Sequence, residues 1–221
     1  LSRSWLLGWL GARPRSATRW IVMDVETTGL DPRSDALLCV AALAIDLRQG
    51  EPQLVVADSY EVVLRQAAPT ASHENVLLHG IGWGQQRQGV PPRQALADLA
   101  RWVGDSPVLA YHAAFDQQVL RQAFKREHLA RPHWSWLDLA DLLPAAFPDE
   151  RASGLDQWMR AMGVQCVRRH QAAADVWATA QLFLKAWPIW RSQGLQDLQD
   201  FDRRAQQVRW LRTSASSSGP T

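Results

Sequence analysis

One short stretch, Trp20-Ile21-Val22-Met23-Asp24-Val25, constrains this chain more than any other, because it is apolar and yet holds a carboxylate, with Glu26 directly after it. Its brevity, its large apolar residues and the Thr27-Thr28-Gly29 that closes it mark a buried central strand. Side chains two apart on a strand share a face, so Asp24 and Glu26 stand side by side. Neighbouring carboxylates repel, and each costs several kcal/mol to desolvate unless a cation compensates. The doublet is therefore either a solvated strand end, the ordinary outcome, or part of a cation site. The hydroxyls and glycine that follow favour a site.

The rest of the pattern builds a sheet around that strand. Ala36 to Ile45 is a second apolar run and Tyr60 to Leu64 a third, and their short connections predict an antiparallel meander. Pro91-Pro92 opens a helix with Leu96, Leu99 and Val103 on one face, and Gly104 ends it. Val108 to Tyr111 reads as a fourth strand. Phe115 begins a helix with Val119, Leu120, Ala123 and Phe124 facing inward, and Trp136-Leu137 forms a fifth strand. Ser153 is expected to cap a helix carrying Leu155, Trp158, Met159 and Met162. A last core helix is expected from Gln171 to Ala186, stopping before Pro188. The expectation is an α/β fold: a mixed sheet, antiparallel meander first and parallel strands after, with helices on both faces.

Composition narrows the function classes. With 47% apolar and 21% charged residues, the 221-residue chain can bury a core, which excludes wholesale disorder. No apolar run approaches the roughly 20 residues of a membrane span, so no membrane role is expected. A net charge of +2 excludes a blanket polycation, leaving any nucleic-acid binding to local patches. Cys39 and Cys166 are too few for a disulfide framework and lack metal-pair spacing, which suits a reducing compartment and hence the cytoplasm. The 12 tryptophans read as core packing over a background of base composition. The start at Leu1 rather than Met leads to the expectation of a segment upstream. Residues 1–17 read as an N-terminal arm, 18–190 as one folded domain, 191–212 as a C-terminal helix, and the Ser-rich 213–221 as a disordered tail.

Two further carboxylates stand out. Asp116 follows Phe115 in a first helical turn, where an acid is ordinarily explained by the helix dipole. Asp175 sits in Ala172-Ala173-Ala174-Asp175-Val176, a helix so small-sided that it must pack closely, which makes a solvated charge harder to accept. His170, five residues earlier, reaches the same place only from the preceding loop, beside Arg168-Arg169. Asp24, Glu26, Asp116, Asp175 and His170 together make a two-metal constellation. Hard oxygen ligands without cysteine select Mg²⁺ or Mn²⁺, and two such ions about 4 Å apart clamp the oxygens of a phosphodiester displacement.

In this order the segments Asp24-Val25-Glu26-Thr27-Thr28-Gly29-Leu30, Ala113-Ala114-Phe115-Asp116 and His170-Gln171-Ala172-Ala173-Ala174-Asp175 closely resemble the DEDDh exonucleases. More narrowly, they are similar to the DnaQ-like group, which contains the proofreading epsilon subunit of bacterial replicative polymerase. His79-Gly80-Ile81, Val108-Leu109-Ala110, Leu137-Asp138 and Ser153-Gly154-Leu155 support the resemblance, which covers residues 18–187. It implies an RNase H-like fold, with 18–190 as the exonuclease domain. It implies that Asp24 bridges both ions, that Glu26 and Asp175 hold the ion that activates water, and that Asp116 helps hold the other. His170 would be the general base. Thr27 would contact the terminal 3′-hydroxyl, Leu30 would wedge beside the terminal base, and His79 would lie near the substrate. A tyrosine in place of Gln171 would mark the sister subclass. One departure is visible: Tyr111-His112 stands where the family usually carries His-Asn, which puts packing beside the metals or the grip on the penultimate nucleotide in doubt.

The implied activity is removal of 5′-mononucleotides from the 3′ end of single-stranded DNA, in proofreading or repair. The alternatives are an exoribonuclease similar to ribonuclease T or oligoribonuclease, and a non-catalytic nucleic-acid-binding module. A polymerase subunit is the implied partner. Residues 195–211, with Leu195, Leu198, Phe201, Ala205, Val208 and Leu211 at helical steps, offer a docking face or a terminal helix packed on its own domain.

Overall fold

A computed structural model describes residues 18–48, 50–68, 73–166 and 169–217, so the expected arm over 1–17 and the final residues 218–221 lie outside what is described. Its centre is β1 (Arg19–Thr27), flanked on one side by β2 (Leu37–Asp46) and β3 (Gln53–Val63) and on the other by β4 (Val108–Ala110) and β5 (Trp136–Asp138). β1 pairs antiparallel with β2, and β2 antiparallel with β3, whereas the β1–β4 and β4–β5 pairings are parallel. The mixed sheet read from the sequence is the sheet found.

Helices cover both faces. Against one lie α3 (Pro92–Val103) and α4 (Ala113–Arg126). Against the other lie α5 (Leu139–Ala146), α6 (Leu155–Ala161), α7 (Ala172–Ser192) and α8 (Leu198–Ser217). Short α1 (His73–His79) and α2 (Trp83–Gln88) link the meander to α3. The run Trp20 to Met23 of β1 is apolar because the strand is covered on both sides: Trp20 and Val22 enter the α7 core, Ile21, Met23 and Val25 the α3–α4 core. The same two-residue period turns Asp24 and Glu26 toward the face that α7 covers.

Several elements depart from expectation. α7 does not stop before Pro188 but continues to Ser192 with the proline inside it. A proline in a helix interior costs about 3 kcal/mol or more. Burial of Trp187 and Trp190 offsets this: they are 2% and 0% exposed, packed with Phe183 and with Phe201 of α8. Trp187 stacks on Phe201 at 5.7 Å and 11°. These rings, with Trp20, account for part of the tryptophan excess. β3 begins at Gln53, seven residues before Tyr60: Leu54 to Ala57 is an apolar run left partly exposed at the sheet edge, and Asp58-Ser59 separates it from the run that begins at Tyr60. Gly154, not Ser153, is the N-cap residue of α6; Ser153 instead bonds the Gln157 side chain from its N–H and its hydroxyl. α8 runs on to Ser217, so helix replaces the tail expected from Thr213 over its first residues. Among the described residues, no helix is long and apolar enough to cross a membrane.

Candidate active site

The site gathers where β1, β4 and β5 end and α4 and α7 begin. β1 supplies Asp24 and Glu26, and its pairing with β2 shifts register between Glu26 and Thr27, which ends the strand at the threonine. From β4 the chain turns through His112, which adopts the left-handed conformation (φ 63°) and starts α4. Asp138 at the end of β5 secures that turn: one carboxylate oxygen accepts the His112 N–H at 3.0 Å and the Ala140 N–H at 2.9 Å. Asp116 thus arrives in the first turn of α4, 4% exposed, with its carboxylate accepting from the Val25 N–H of β1. A second left-handed residue, His170 (φ 60°), precedes α7. Its N–H donates to Asp175 Oδ2 at 3.2 Å, and Asp175 is 6% exposed. Buried Ala172 and half-buried Ala174 let this helix end sit close to β1.

Electrostatics shows that these groups share one space. Burial, followed by the charges of Asp116, Asp175 and Glu26, raises the Asp24 carboxyl well above its usual range. Burial likewise raises Asp116, against hydrogen bonds from its own N–H and that of Val25. Glu26 is pushed up to about 7 by burial and by the Asp175 charge. Two unit charges about 4 Å apart repel by about 4 kcal/mol at an effective dielectric constant near 20, so such a cluster needs positive charge to ionise fully. Arg169 provides some: its guanidinium forms ion pairs with Asp175 and with Asp156, and its field lowers both Asp24 and Glu26.

The donors are therefore carboxylate oxygens, short of positive charge, with no thiolate among them, which is the chemistry that hard divalent cations satisfy. Among the described residues, no three of these side chains meet closely enough to grip an ion as they stand, and Asp175 is engaged by Arg169. Asp24, Glu26, Asp116 and Asp175 fit a divalent-metal site as ligands gathered but not closed.

The other expected residues are placed unequally. The His170 side chain is exposed at the edge of the cluster. Thr27 donates its hydroxyl to the Gly29 carbonyl at 2.5 Å, and Leu30 stands 91% exposed in the turn beyond. His79 is not drawn into the cluster: it is 3% exposed, its Nδ1 accepts the Ile81 N–H at 3.0 Å, and burial alone lowers its pKa. Its helix still reaches the site, because Asn75, one turn earlier, donates its side-chain amide to the Thr28 carbonyl. Sequence reasoning did not single out Arg169 as a partner of Asp175, nor Asp138 as the anchor of the β4–α4 turn. Their signals were the Arg168-Arg169 doublet beside His170 and the Leu137-Asp138 strand end.

Residues 21–183 match the RNase T family, described as exonuclease. The chain is 26% identical over 187 residues to the PolC-type DNA polymerase III of Thermotoga maritima and 27% identical over 181 residues to that of Bacillus subtilis. These matches cover 83% and 80% of this chain but only 13% and 12% of the polymerases. Among solved structures, E. coli exonuclease I in complex with a dT13 oligonucleotide shares the fold with a TM-score of 0.67 at 22% identity, over 80% of this chain and 43% of that one. Cell-death related nuclease 4 gives 0.68 at 11% identity, over 76% and 63%. What they share with this chain is the RNase H-like sheet and its helices.

Proposed function

Because this chain belongs to the RNase T/DnaQ-like exonuclease family, we propose that it is a 3′→5′ exonuclease of the DEDDh type that releases 5′-mononucleotides from the 3′-hydroxyl end of single-stranded DNA. One observation carries this reading: burial, with the charges of Asp116 on α4 and Asp175 on α7, raises the Asp24 carboxyl of β1, and burial with the Asp175 charge raises Glu26, leaving one cluster with too little positive charge to balance it. Two Mg²⁺ or Mn²⁺ ions, when bound, would supply that charge to the attacking and leaving oxygens of the phosphodiester.

The protein's own groups divide the remaining work. Asp24 would be shared between the ions, Glu26 and Asp175 would serve the one on the water side, and Asp116 the other. His170 would take the proton of the attacking water; its exposed imidazole stands at the edge of the cluster and its backbone is tied to Asp175. Thr27 Oγ1, already donating to Gly29, keeps lone pairs to accept from a terminal 3′-hydroxyl. Exposed Leu30 would pack on the terminal base. Buried His79 would act at a distance, by holding the turn after α1 and so the position of Asn75 against Thr28.

DNA is the favoured substrate because the relatives reported above are DNA polymerases, and the same likeness supports a DNA polymerase as partner. Two free cysteines suit a cytoplasmic setting. The test is a panel of labelled single-stranded DNA, duplex DNA, RNA and 3′-phosphorylated DNA with Mg²⁺ or Mn²⁺. Stepwise release of 5′-mononucleotides from the 3′-hydroxyl strand is expected, with the 3′-phosphate blocking it. Faster digestion of RNA would replace the DNA reading with the exoribonuclease one. Binding without metal-dependent cleavage would overturn the nuclease reading.

A further inference from the structure

Away from the carboxylates, a shallow open recess lies along α4 and the β5 edge of the sheet. Its lining joins Gln117, Arg121 and Phe124 of α4 to Arg131, Trp134 and Trp136 on the segment entering β5. The aromatic wall is held in place: Trp134 meets Phe124 edge-on at 6.2 Å, lies 6.3 Å from Trp136, and donates its indole N–H to the Gly104 carbonyl at 3.1 Å. Arg121 and Arg131 are exposed, and neither has an ion-pair partner among the described residues. Fixed rings beside uncommitted guanidinium groups form a surface for an anion that also has flat faces, which describes a nucleic-acid strand.

Position ties the recess to the reaction. Gln117 follows Asp116 directly, and Gln117 and Arg121 are four apart on one stripe of the helix. Arg121 lies about 8 Å and Phe124 about 12 Å from Asp116 along the helix axis at about 1.5 Å per residue. That is about two to four nucleotides at about 3.4 Å each. We propose that this recess is a second contact for the substrate strand: nucleotides upstream of the 3′ end would stack on the Trp134–Trp136 wall while Arg121 and Arg131 bind their phosphates. The inference rests on the nuclease reading, since it takes the strand entering at Asp116 as its occupant. The groove would make binding length-dependent and indifferent to base sequence, because every base has a face to stack and every linkage a phosphate.

The experiment measures binding of single-stranded oligodeoxynucleotides of two and ten nucleotides to the full chain and to Arg121→Gln/Arg131→Gln, in Ca²⁺ at several salt concentrations. The double variant is expected to lose about tenfold of the affinity gained on lengthening the strand. Its log–log salt slope should flatten by about 1.4, from two lost phosphate contacts at about 0.7 each. Equal thermal unfolding of the two proteins shows that the loss is one of contact. An unchanged length gain and salt slope would overturn the proposal. So would a variant that keeps oligonucleotide binding but loses an acidic, aromatic peptide held by the wild-type chain. Failure of the wild-type chain to cleave any strand with Mg²⁺ or Mn²⁺ would instead break the nuclease reading, so the two failures are distinguishable.

Discussion

β1 and α7 each join two opposite kinds of environment. β1 starts with Trp20 among Phe183 and Phe201 and ends with Asp24 and Glu26. α7 runs the other way, from Asp175 in its first turn to Trp187 and Trp190 in its last turns. At one end, buried rings meet at 5.3 to 5.7 Å and carry an internal proline through a continuous helix. At the other, buried acids repel one another and two histidines are held in the left-handed conformation. The aromatic end is stabilising and chemically inert, whereas the acidic end costs stability and holds the groups suited to chemistry. Placing both on the same two elements lets rigid packing at one end hold strained charge at the other.

The sharpest way to break this contrast is Asp24→Asn. It should lower nuclease activity by about a thousandfold or more, the scale of several kcal/mol of transition-state charge stabilisation. The same change should raise the melting temperature of the metal-free protein near neutral pH, because it removes a carboxyl whose ionisation burial and its acidic neighbours oppose in the fold but not in the unfolded chain. A lower melting temperature would show that the cluster is not under electrostatic strain. Phe201→Ala should do the reverse, costing about 3 to 5 kcal/mol, or about 6 to 20 °C in thermal unfolding of a chain this size, while the Mg²⁺ affinity of the folded fraction holds.

His170→Ala should reduce kcat by about 10² to 10⁴ and leave the melting temperature nearly unchanged, since the side chain is exposed. A drop below tenfold would remove it as the base. A pH scan sharpens the comparison further. Glu26 binds its proton up to about pH 7 in the fold against about 4.5 when unfolded, so over that interval the folded chain carries more protons. Stability therefore falls as pH rises from about 4.5 to about 7, and the raised Asp24 and Asp116 act in the same direction. Metal-free protein should thus melt lower at pH 8 than at pH 5, and added Mg²⁺ should raise the melting temperature more at pH 8. The smallest effect is expected of Leu30→Ala: a severalfold rise in KM for single-stranded DNA with no change in melting temperature, given its exposure.

The acidic end was the more legible in sequence, and for a physical reason. A carboxylate in an apolar strand or in a run of alanines violates burial rules locally, so Asp24 and Asp175 declare themselves without any knowledge of their neighbours. Asp116 does so only weakly, since an acid in a first helical turn is commonplace, and it gained weight from the other carboxylates and then from the order of segments. The aromatic end was illegible because its logic is long-range: nothing near Pro188 shows that Phe201 will stack on Trp187 and carry the helix past it. The first half of β3 escaped notice because Leu54 to Ala57 is only four residues long and Asp58-Ser59 cuts it off from Tyr60, and α1 and α2 because six or seven residues hold too little periodicity. Arg169 could be seen as a basic residue beside His170, but its pairing with Asp175 depends on how the chain enters α7.

The irregular edge of the sheet has its own consequence. Ser59 of β3 lies opposite Leu43 while Val55 lies opposite Ala44, so residues 56–58 bulge out of the ladder, with Asp58 turned to Arg19. At the far side, β5 offers only three residues. A free strand from a second molecule would find an interrupted template at one border and almost none at the other. At high concentration this protein should therefore resist self-templated fibril growth through its native sheet, even though its central strands are as apolar as those that build such fibrils.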